Sequence, residues 1–160
     1  MRQQEIKTTL YEYDNLDELE KDDITLLESA KEIAKKAYAP YSKFHVGAAL
    51  KLANGKILTA NNQENAAYPS GLCAERAVIF YANANYPDTA ILSLAITAIY
   101  KGEQLKEPVP PCGSCLQVIL ESEKRYNIPI RIILGGSEKI WIAKSIKDFL
   151  PVNFNKDMLE

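Results

Sequence analysis

The stretch GLCAERAVIFYANAN, residues 71–85, passes from a loop into an amphipathic segment. Gly71 and the nearby Pro69 indicate the loop, and the pattern from the first cysteine onward predicts a helix over 73–85. PPCGSCLQVILESEKR, residues 110–125, repeats this arrangement, because two prolines precede a helix that is predicted over 112–125. All three cysteines of the chain are therefore expected at or near the beginnings of helices.

The segments around these two helices predict the sheet. Residues 46–62 form a predicted hairpin, in which Asn54-Gly55 is a two-residue turn whose positions both tolerate positive φ. Another helix is predicted over 24–39 and is expected to end at Pro40. Further strands are predicted at 90–100, 128–136 and 140–144. Strands that alternate with helices in this way imply a layered α/β domain with helices on both faces of the sheet.

Length and charge limit the possible organisation. The 160 residues suit one domain, and the net charge of −2 gives no reason to expect a polynucleotide partner. Eight acidic and three basic residues lie in the first 23, so we expect an acidic N-terminal extension over 1–23 and a single folded domain over 24–160. No apolar run is long enough for a bilayer and the N-terminus lacks a secretory pattern, which predicts a cytoplasmic protein without a membrane partner.

Three cysteines in a reducing compartment favour a metal over disulfides. Cys112 and Cys115 are three residues apart, so they share one helix face, and Cys73 supplies a third thiolate from the other helix. Helix N-termini stabilise thiolates. Three protein ligands leave the fourth position of tetrahedral zinc open for a water, as catalysis requires. The only histidine, His45, is interpreted as an edge or surface residue.

Glu75 follows the first cysteine by two residues and has two plausible roles. It is either an ordinary acidic residue in the first turn of a helix or a proton shuttle beside the metal. The three cysteines favour the second role, since zinc deaminases combine such a ligand set with a non-ligand glutamate and a P-C-x-x-C signature. Here Pro111, Cys112 and Cys115 provide that signature.

Four stretches resemble the small homotetrameric cytidine deaminases: APYSKFHVGAAL (39–50), NQENAAYPSGLCAERAVI (62–79), PPCGSCLQV (110–118) and FLPVNF (149–154). The resemblance implies a three-layer α/β/α fold around a mixed, roughly five-stranded sheet. It also implies a zinc-dependent hydrolase that converts cytidine and deoxycytidine to uridine and deoxyuridine with release of ammonia, in pyrimidine salvage.

The resemblance further implies a role for each matching residue. Cys73, Cys112 and Cys115 would bind zinc, and Glu75 would transfer protons. Asn62 and Glu64 would hold the ribose, Phe44 would pack on the base, and Ala74 would contact the base edge through its backbone. Tyr68 would line the site or a subunit contact, and Phe154 would reach a neighbouring site of the homotetramer. Arg76 and Gln117 would lie around the metal ligands.

The chain departs from the family after the last cysteine, where Leu116 replaces the usual arginine. One cation near the metal is therefore missing, and Arg76 is the candidate to offset the charge of three thiolates. Its other interpretation is a solvent-facing helix arginine. Two alternative functions stay open: deamination of another aminopyrimidine nucleoside, such as blasticidin S, and a non-catalytic zinc-binding module. A polynucleotide deaminase is disfavoured by the lack of a basic stripe and of stacking aromatic residues.

Overall fold

The computed structural model describes residues 1–159, which contain three α-helices and seven strands. The helices are α1 (Lys21–Ala34), α2 (Ala74–Asn85) and α3 (Gly113–Tyr126). The strands are β1 (Tyr11–Tyr13), β2 (Phe44–Leu52), β3 (Ile57–Asn61), β4 (Ile91–Tyr100), β5 (Glu103–Gln104), β6 (Arg131–Gly135) and β7 (Ile140–Ala143).

All strands belong to one sheet with the order β1-β7-β6-β4-β2-β3, and β5 pairs with β4 beside this path. The β4–β6 pairing is parallel and the other pairings are antiparallel, so the sheet is mixed as predicted. The predicted count of five strands is wrong, because β1 and β5 add two more. These strands have three and two residues, too few for an apolar alternation that sequence reading could detect.

The sheet is covered by helices on both faces. Adjacent residues of β2 serve opposite faces, because Leu50 packs in the cluster with Val78 of α2 and Ile119 of α3, whereas Ala49 packs in the cluster with Leu26 of α1. All five side chains are buried. The predicted three-layer α/β/α architecture is therefore confirmed.

The hairpin between β2 and β3 differs from its prediction in the turn. Leu52 accepts a backbone hydrogen bond from Gly55 at 2.9 Å and donates one to Lys56 at 2.9 Å, so residues 53–55 form the loop. Gly55 has φ of 85°, and Asn54 does not adopt a positive φ. A three-residue loop in which a glycine occupies the left-handed position is the next commonest way to join such strands.

Helix α1 begins earlier and ends earlier than predicted, and Pro40 does not end it. After Ala34 the chain turns, and Tyr38 pairs with Gln63 as an isolated bridge. The Tyr38 N–H donates to the Asn62 carbonyl at 3.1 Å, and the Glu64 N–H donates to the Tyr38 carbonyl at 2.8 Å. These long-range bonds replace the helical bonds that continuation of α1 would have made.

Part of the acidic N-terminal segment is tied to the domain. Strand β1 pairs with β7, and Glu12 accepts a hydrogen bond from the Trp141 indole at 2.8 Å. Asp23, in the first turn of α1, is buried and accepts hydrogen bonds from Arg131 at 2.8–3.2 Å. The division between an extension and a domain at residue 23 stays a prediction. Within residues 1–159, none of the helices is both long and apolar enough to cross a membrane.

Candidate active site

The three cysteines meet where α2 and α3 begin, as predicted. Cys73 is the residue immediately before α2, and Cys112 holds the same position before α3. Cys115 lies in the first turn of α3 and is buried, whereas Cys112 is exposed. Because both helices pack on the same face of the sheet, their N-termini bring the thiols together.

The spacing of the thiols fits a tetrahedral metal. All three Sγ atoms lie within 4.8 Å of one another, with 3.4 Å between Cys112 and Cys115 and 4.0 Å between Cys73 and Cys112. Zinc–sulfur bonds of about 2.3 Å in a tetrahedron separate two sulfurs by about 3.8 Å. These distances lie on either side of that value, so small shifts would place the three thiolates around one zinc ion.

Arg76 faces this cluster from the first turn of α2. Its Nη2 lies 3.8 Å from the Cys73 Sγ, and its Nε is buried without a hydrogen-bond partner among residues 1–159. A hydrogen bond from Cys115, together with the guanidinium of Arg76, lowers the pKa of Cys73 to about 5. The same interaction with Cys73, together with burial, raises the pKa of Cys115. The guanidinium of Arg76 therefore favours the thiolate form of Cys73.

Glu75 lies in the interior rather than on a solvated face of the helix, since only 5% of its surface is exposed. Burial raises the pKa of its carboxyl above the ordinary value of 4.5, and the negative charge of Cys73 raises it further. Hydrogen bonds from its own backbone N–H and from Cys115 act in the opposite direction. A carboxyl group whose pKa is raised by burial is suited to both accepting and donating a proton.

A cavity of about 670 Å³ opens beside the cysteines. Five of the residues predicted from the sequence line the cavity: Asn62, Glu64, Tyr68, Cys73 and Arg76. Its size suits a small organic molecule. Because Cys73 lines the cavity, such a molecule can reach the thiol cluster at Cys73.

Asn62 and Glu64 fix the backbone that surrounds this cavity. The Asn62 Oδ1 accepts a hydrogen bond from the Val46 N–H at 2.7 Å, and its Nδ2 donates to the Phe44 carbonyl at 2.9 Å. The Glu64 Oε2 accepts from the Tyr41 N–H at 2.9 Å. Each side chain keeps further hydrogen-bonding capacity for a ligand, since an amide and a carboxylate can both make more bonds than these.

The other predicted residues do not line the cavity, and Glu75, Cys112 and Cys115 are among them. Ala74 is fully buried at the start of α2. Phe44 is half-buried, and its ring centroid lies 6.3 Å from that of Tyr100. Phe154 is exposed, and its backbone carbonyl accepts a hydrogen bond from Gln117 at 2.9 Å. Leu116 packs against the apolar cluster beneath α2 and α3.

Several cavity residues were not assigned a role from the sequence. Tyr41, Ser42, Gln63, Asn65 and Leu72 also line the cavity. Their position inside the stretches 39–50 and 62–79 was the available signal, because those stretches also contain the residues that were assigned. Their individual identities carried no signal, since tyrosine, serine and amide side chains are common in any loop.

The site has the features of a zinc-dependent deaminase. Three thiols and a buried glutamate lie at adjoining helix N-termini, and a cavity opens at Cys73. The family model described as the cytidine and deoxycytidylate deaminase zinc-binding region matches residues 20–129. The chain belongs to this family. The metal for which the three thiols are arranged is therefore zinc.

Individual relatives agree with this assignment. A cytidine deaminase of Sporosarcina psychrophila is 38% identical over 136 residues, which cover 84% of this chain and 92% of the relative. The crystal structure of a cytidine deaminase from Burkholderia pseudomallei matches with a TM-score of 0.69 and 35% identity, over 81% of this chain and 97% of the other. The cytidine deaminase of Mycobacterium tuberculosis gives a TM-score of 0.63 at 32% identity, over 82% and 95%.

Proposed function

We propose that the protein is a zinc-dependent hydrolase that deaminates cytidine and deoxycytidine to uridine and deoxyuridine, with release of ammonia. The observation that carries this proposal is the buried Glu75, which shares a helix N-terminus with Cys73 beside the cavity. A structural zinc site has no use for a buried carboxyl that is not a ligand. A deaminase requires that carboxyl for proton transfer.

Zinc, when bound to the three cysteines, supplies a Lewis acid that makes water a stronger nucleophile at neutral pH. Glu75 handles the protons. Its carboxylate accepts one from the attacking water and delivers it to ring N3 of the base, while the water oxygen bonds to C4. Glu75 then moves the remaining proton from the new C4 hydroxyl to the amino group. The C4–N bond breaks, ammonia leaves, and the C4 oxygen becomes the carbonyl of uridine. The raised pKa of Glu75 supports both directions of transfer.

The cavity favours a nucleoside over a nucleotide. Arg76 is the basic residue among those that line it, and its guanidinium already faces the Cys73 thiol. Neutral sugar hydroxyls instead suit the amide of Asn62 and the carboxylate of Glu64. We assign the base to the neighbourhood of Phe44 and the backbone of Ala74, and Tyr68 to the cavity rim. Arg76 is then the single cation that offsets the negative charge of the thiolates, because Leu116 carries no charge.

We propose a cytoplasmic homotetramer as the active form, in which Phe154 completes the site of a neighbouring subunit. Tyr68 and Phe154 support this proposal, because 94% and 58% of their surfaces are exposed in the single chain. Aromatic side chains at such exposure are typical of interfaces. The single domain over 24–160 would be the assembling unit, with residues 1–23 as its extension.

Zinc content and turnover test the proposal together. Purified protein should contain roughly one zinc per chain, and ultraviolet absorbance should report conversion of cytidine to uridine. The Glu75→Gln variant should keep its zinc but lose about 10²- to 10⁴-fold in kcat, the usual contribution of a general acid–base residue. Glu121→Gln, the same change at an exposed position of α3, is the matched control and should retain full turnover.

Two results would contradict the proposal in different ways. Undiminished turnover in Glu75→Gln would remove Glu75 from the mechanism. Zinc without turnover on cytidine or deoxycytidine would move the assignment to another aminopyrimidine nucleoside or to a structural zinc site.

A further inference from the structure

The C-terminal segment 151–159, here called the tail, has its own hydrogen-bonded structure. The Asn155 side chain donates to the Asn153 side chain at 2.9 Å, and the Asp157 N–H donates to the Asn155 side chain at 2.9 Å. The segment ends in a short 3-10 turn over Lys156–Met158. The side chains of Asn153 and Asn155 therefore shape the tail, which contains neither a strand nor an α-helix.

The tail is fastened to α3 at two points. The Gln117 Nε2 donates to the Phe154 carbonyl at 2.9 Å, and the Lys124 ammonium forms an ion pair with the Asp157 carboxylate. Gln117 and Lys124 are seven residues apart, which is close to two helical turns, so both side chains project from one face of α3. The tail thus follows α3 in the same direction as the helix.

Fastening the backbone leaves apolar side chains of the tail in solvent. Val152, Phe154, Met158 and Leu159 are all strongly exposed. Neither contact with α3 involves these side chains, because both are made by a backbone carbonyl or a carboxylate. An ordered segment that directs its apolar side chains outward is prepared for contact with another surface.

The helix that holds the tail also carries a metal ligand. Cys115 and Gln117 lie two residues apart in α3, so the position of Phe154 is fixed relative to the thiol cluster through one rigid element. We infer that Gln117 and Lys124 are positioning residues, which hold the tail on α3 so that Phe154 meets a nucleoside in a second copy of this chain. This inference rests on the proposed function.

The two contacts with α3 affect nucleoside binding because they raise the fraction of molecules whose tail is in the conformation that binds. Ordering a free segment costs conformational entropy, and a binding-competent state that is only partly populated weakens the apparent affinity in proportion. A loosened tail should therefore raise KM for cytidine. It should leave kcat and zinc content unchanged, since neither Lys124 nor Asp157 contacts the thiols or Glu75.

Charge reversal at the ion pair tests this inference. Lys124→Glu should raise KM about fivefold, because exposed pairs are individually weak and the variant also places two carboxylates together. Amide hydrogen exchange of residues 152–158 should accelerate by a similar factor. The double variant Lys124→Glu/Asp157→Lys should restore most of both properties. Lys36→Glu, the same charge change in the segment after α1 on the opposite side of the sheet, is the control and should change neither.

A second variant tests the other contact. Gln117→Met keeps the length of the side chain but removes the donor to the Phe154 carbonyl, and it should accelerate tail exchange while zinc stays bound. Unchanged exchange in Lys124→Glu and in Gln117→Met would overturn the anchoring. Faster exchange with an unchanged KM would overturn the link to affinity. An inactive wild-type protein would overturn the proposed function and that link, while the exchange data would still decide the anchoring.

Discussion

At the scale of single residues, Glu64 stabilises the folded backbone in addition to its proposed role in binding the nucleoside. Its carboxylate accepts hydrogen bonds from the backbone N–H groups of Tyr41 and Ser42, at 2.9 and 3.3 Å. These bonds hold the loop between α1 and β2 against the cavity. A bond from the Ser42 hydroxyl, followed by those backbone bonds, lowers the pKa of Glu64 below 4.5. The ionised form therefore stabilises the fold.

The pH dependence of this contribution has a definite sign. Because the folded protein lowers the pKa of Glu64, its stabilisation is complete above the unfolded value of about 4.5 and is lost as pH falls through the folded value. Glu64→Gln should lower the melting temperature at pH 7, since a neutral amide accepts these bonds less strongly. The melting temperatures of the variant and the wild type should converge as the pH falls below the folded pKa of Glu64. A constant difference at every pH would contradict this role.

The sequence predicted the position of the cysteines but not the bonds of Asn62. Cys73 and Cys112 could be placed because each follows loop-forming residues and precedes an amphipathic run, which marks a helix N-terminus. The partners of Asn62, Val46 and Phe44, depend on the register between β2 and the chain that follows β3. Register of that kind is set by tertiary packing and leaves no local signal in a loop residue.

At the scale of elements, the contact between α1 and β2 is very close. An added Cβ at Gly47 would lie 1.9 Å from the Ala30 carbonyl oxygen and 2.7 Å from the Ala34 backbone nitrogen. Both atoms belong to the helix backbone, which cannot yield by rotating a side chain. Gly47 thus sets the distance between α1 and the sheet near the start of β2, close to the backbone groups that Asn62 binds.

Gly47→Ala should therefore be strongly destabilising. We expect a loss of about 3 kcal/mol or more in the free energy of unfolding, at the upper end for overpacking because backbone must move. For a domain of this size, that loss corresponds to a decrease of roughly 6–12 °C in melting temperature. Gly113→Ala is the matched control, since nothing lies within 4 Å of its added Cβ. Equal melting temperatures for the two variants would show that α1 can shift.

The helices and strands were predicted correctly where a long segment has a regular apolar pattern. They were missed or misplaced where a segment is short or is ordered by distant residues. Helices α2 and α3 and strand β4 have long apolar patterns, and their predicted ranges differ from the structure by at most one residue at each end. The end of α1 was misplaced by five residues, because Tyr38 finds partners in the segment after β3. Strand β1 depends on a long-range partner in the same way, whereas β5 pairs with the adjoining end of β4 and is too short, at two residues, to show a pattern.

At the scale of the molecule, both ends of the chain fold back onto the domain. The tail lies on α3, whereas β1 covers the edge of β7 at one end of the sheet. An uncovered strand edge is open to pairing with another chain, so β1 protects this edge. The contacts of neither end could be predicted from the sequence, because both segments gain their order from residues that are distant in the chain.

Truncation after Pro151 tests the role of the tail in the assembled protein. The truncated chain should retain zinc and its fold, since the tail contributes none of the buried residues. It should bind cytidine more weakly, with KM raised by about tenfold or more, which corresponds to about 1.4 kcal/mol for one lost aromatic contact. Kinetics and zinc analysis of the same sample provide the measurement. An unchanged KM would exclude Phe154 from any site.

The docking of β1 gives the protein a spectroscopic property of its own. Trp141 is the only tryptophan in the chain, and its indole N–H is bound by Glu12 of β1. Lys139 pairs with the same carboxylate, so increasing salt weakens the contact. When β1 detaches, water reaches the indole and its fluorescence emission moves to longer wavelength. A salt titration of the unlabelled protein can thus follow the detachment of β1 from the sheet. The emission wavelength of the Glu12→Gln variant provides the reference for the weakened contact.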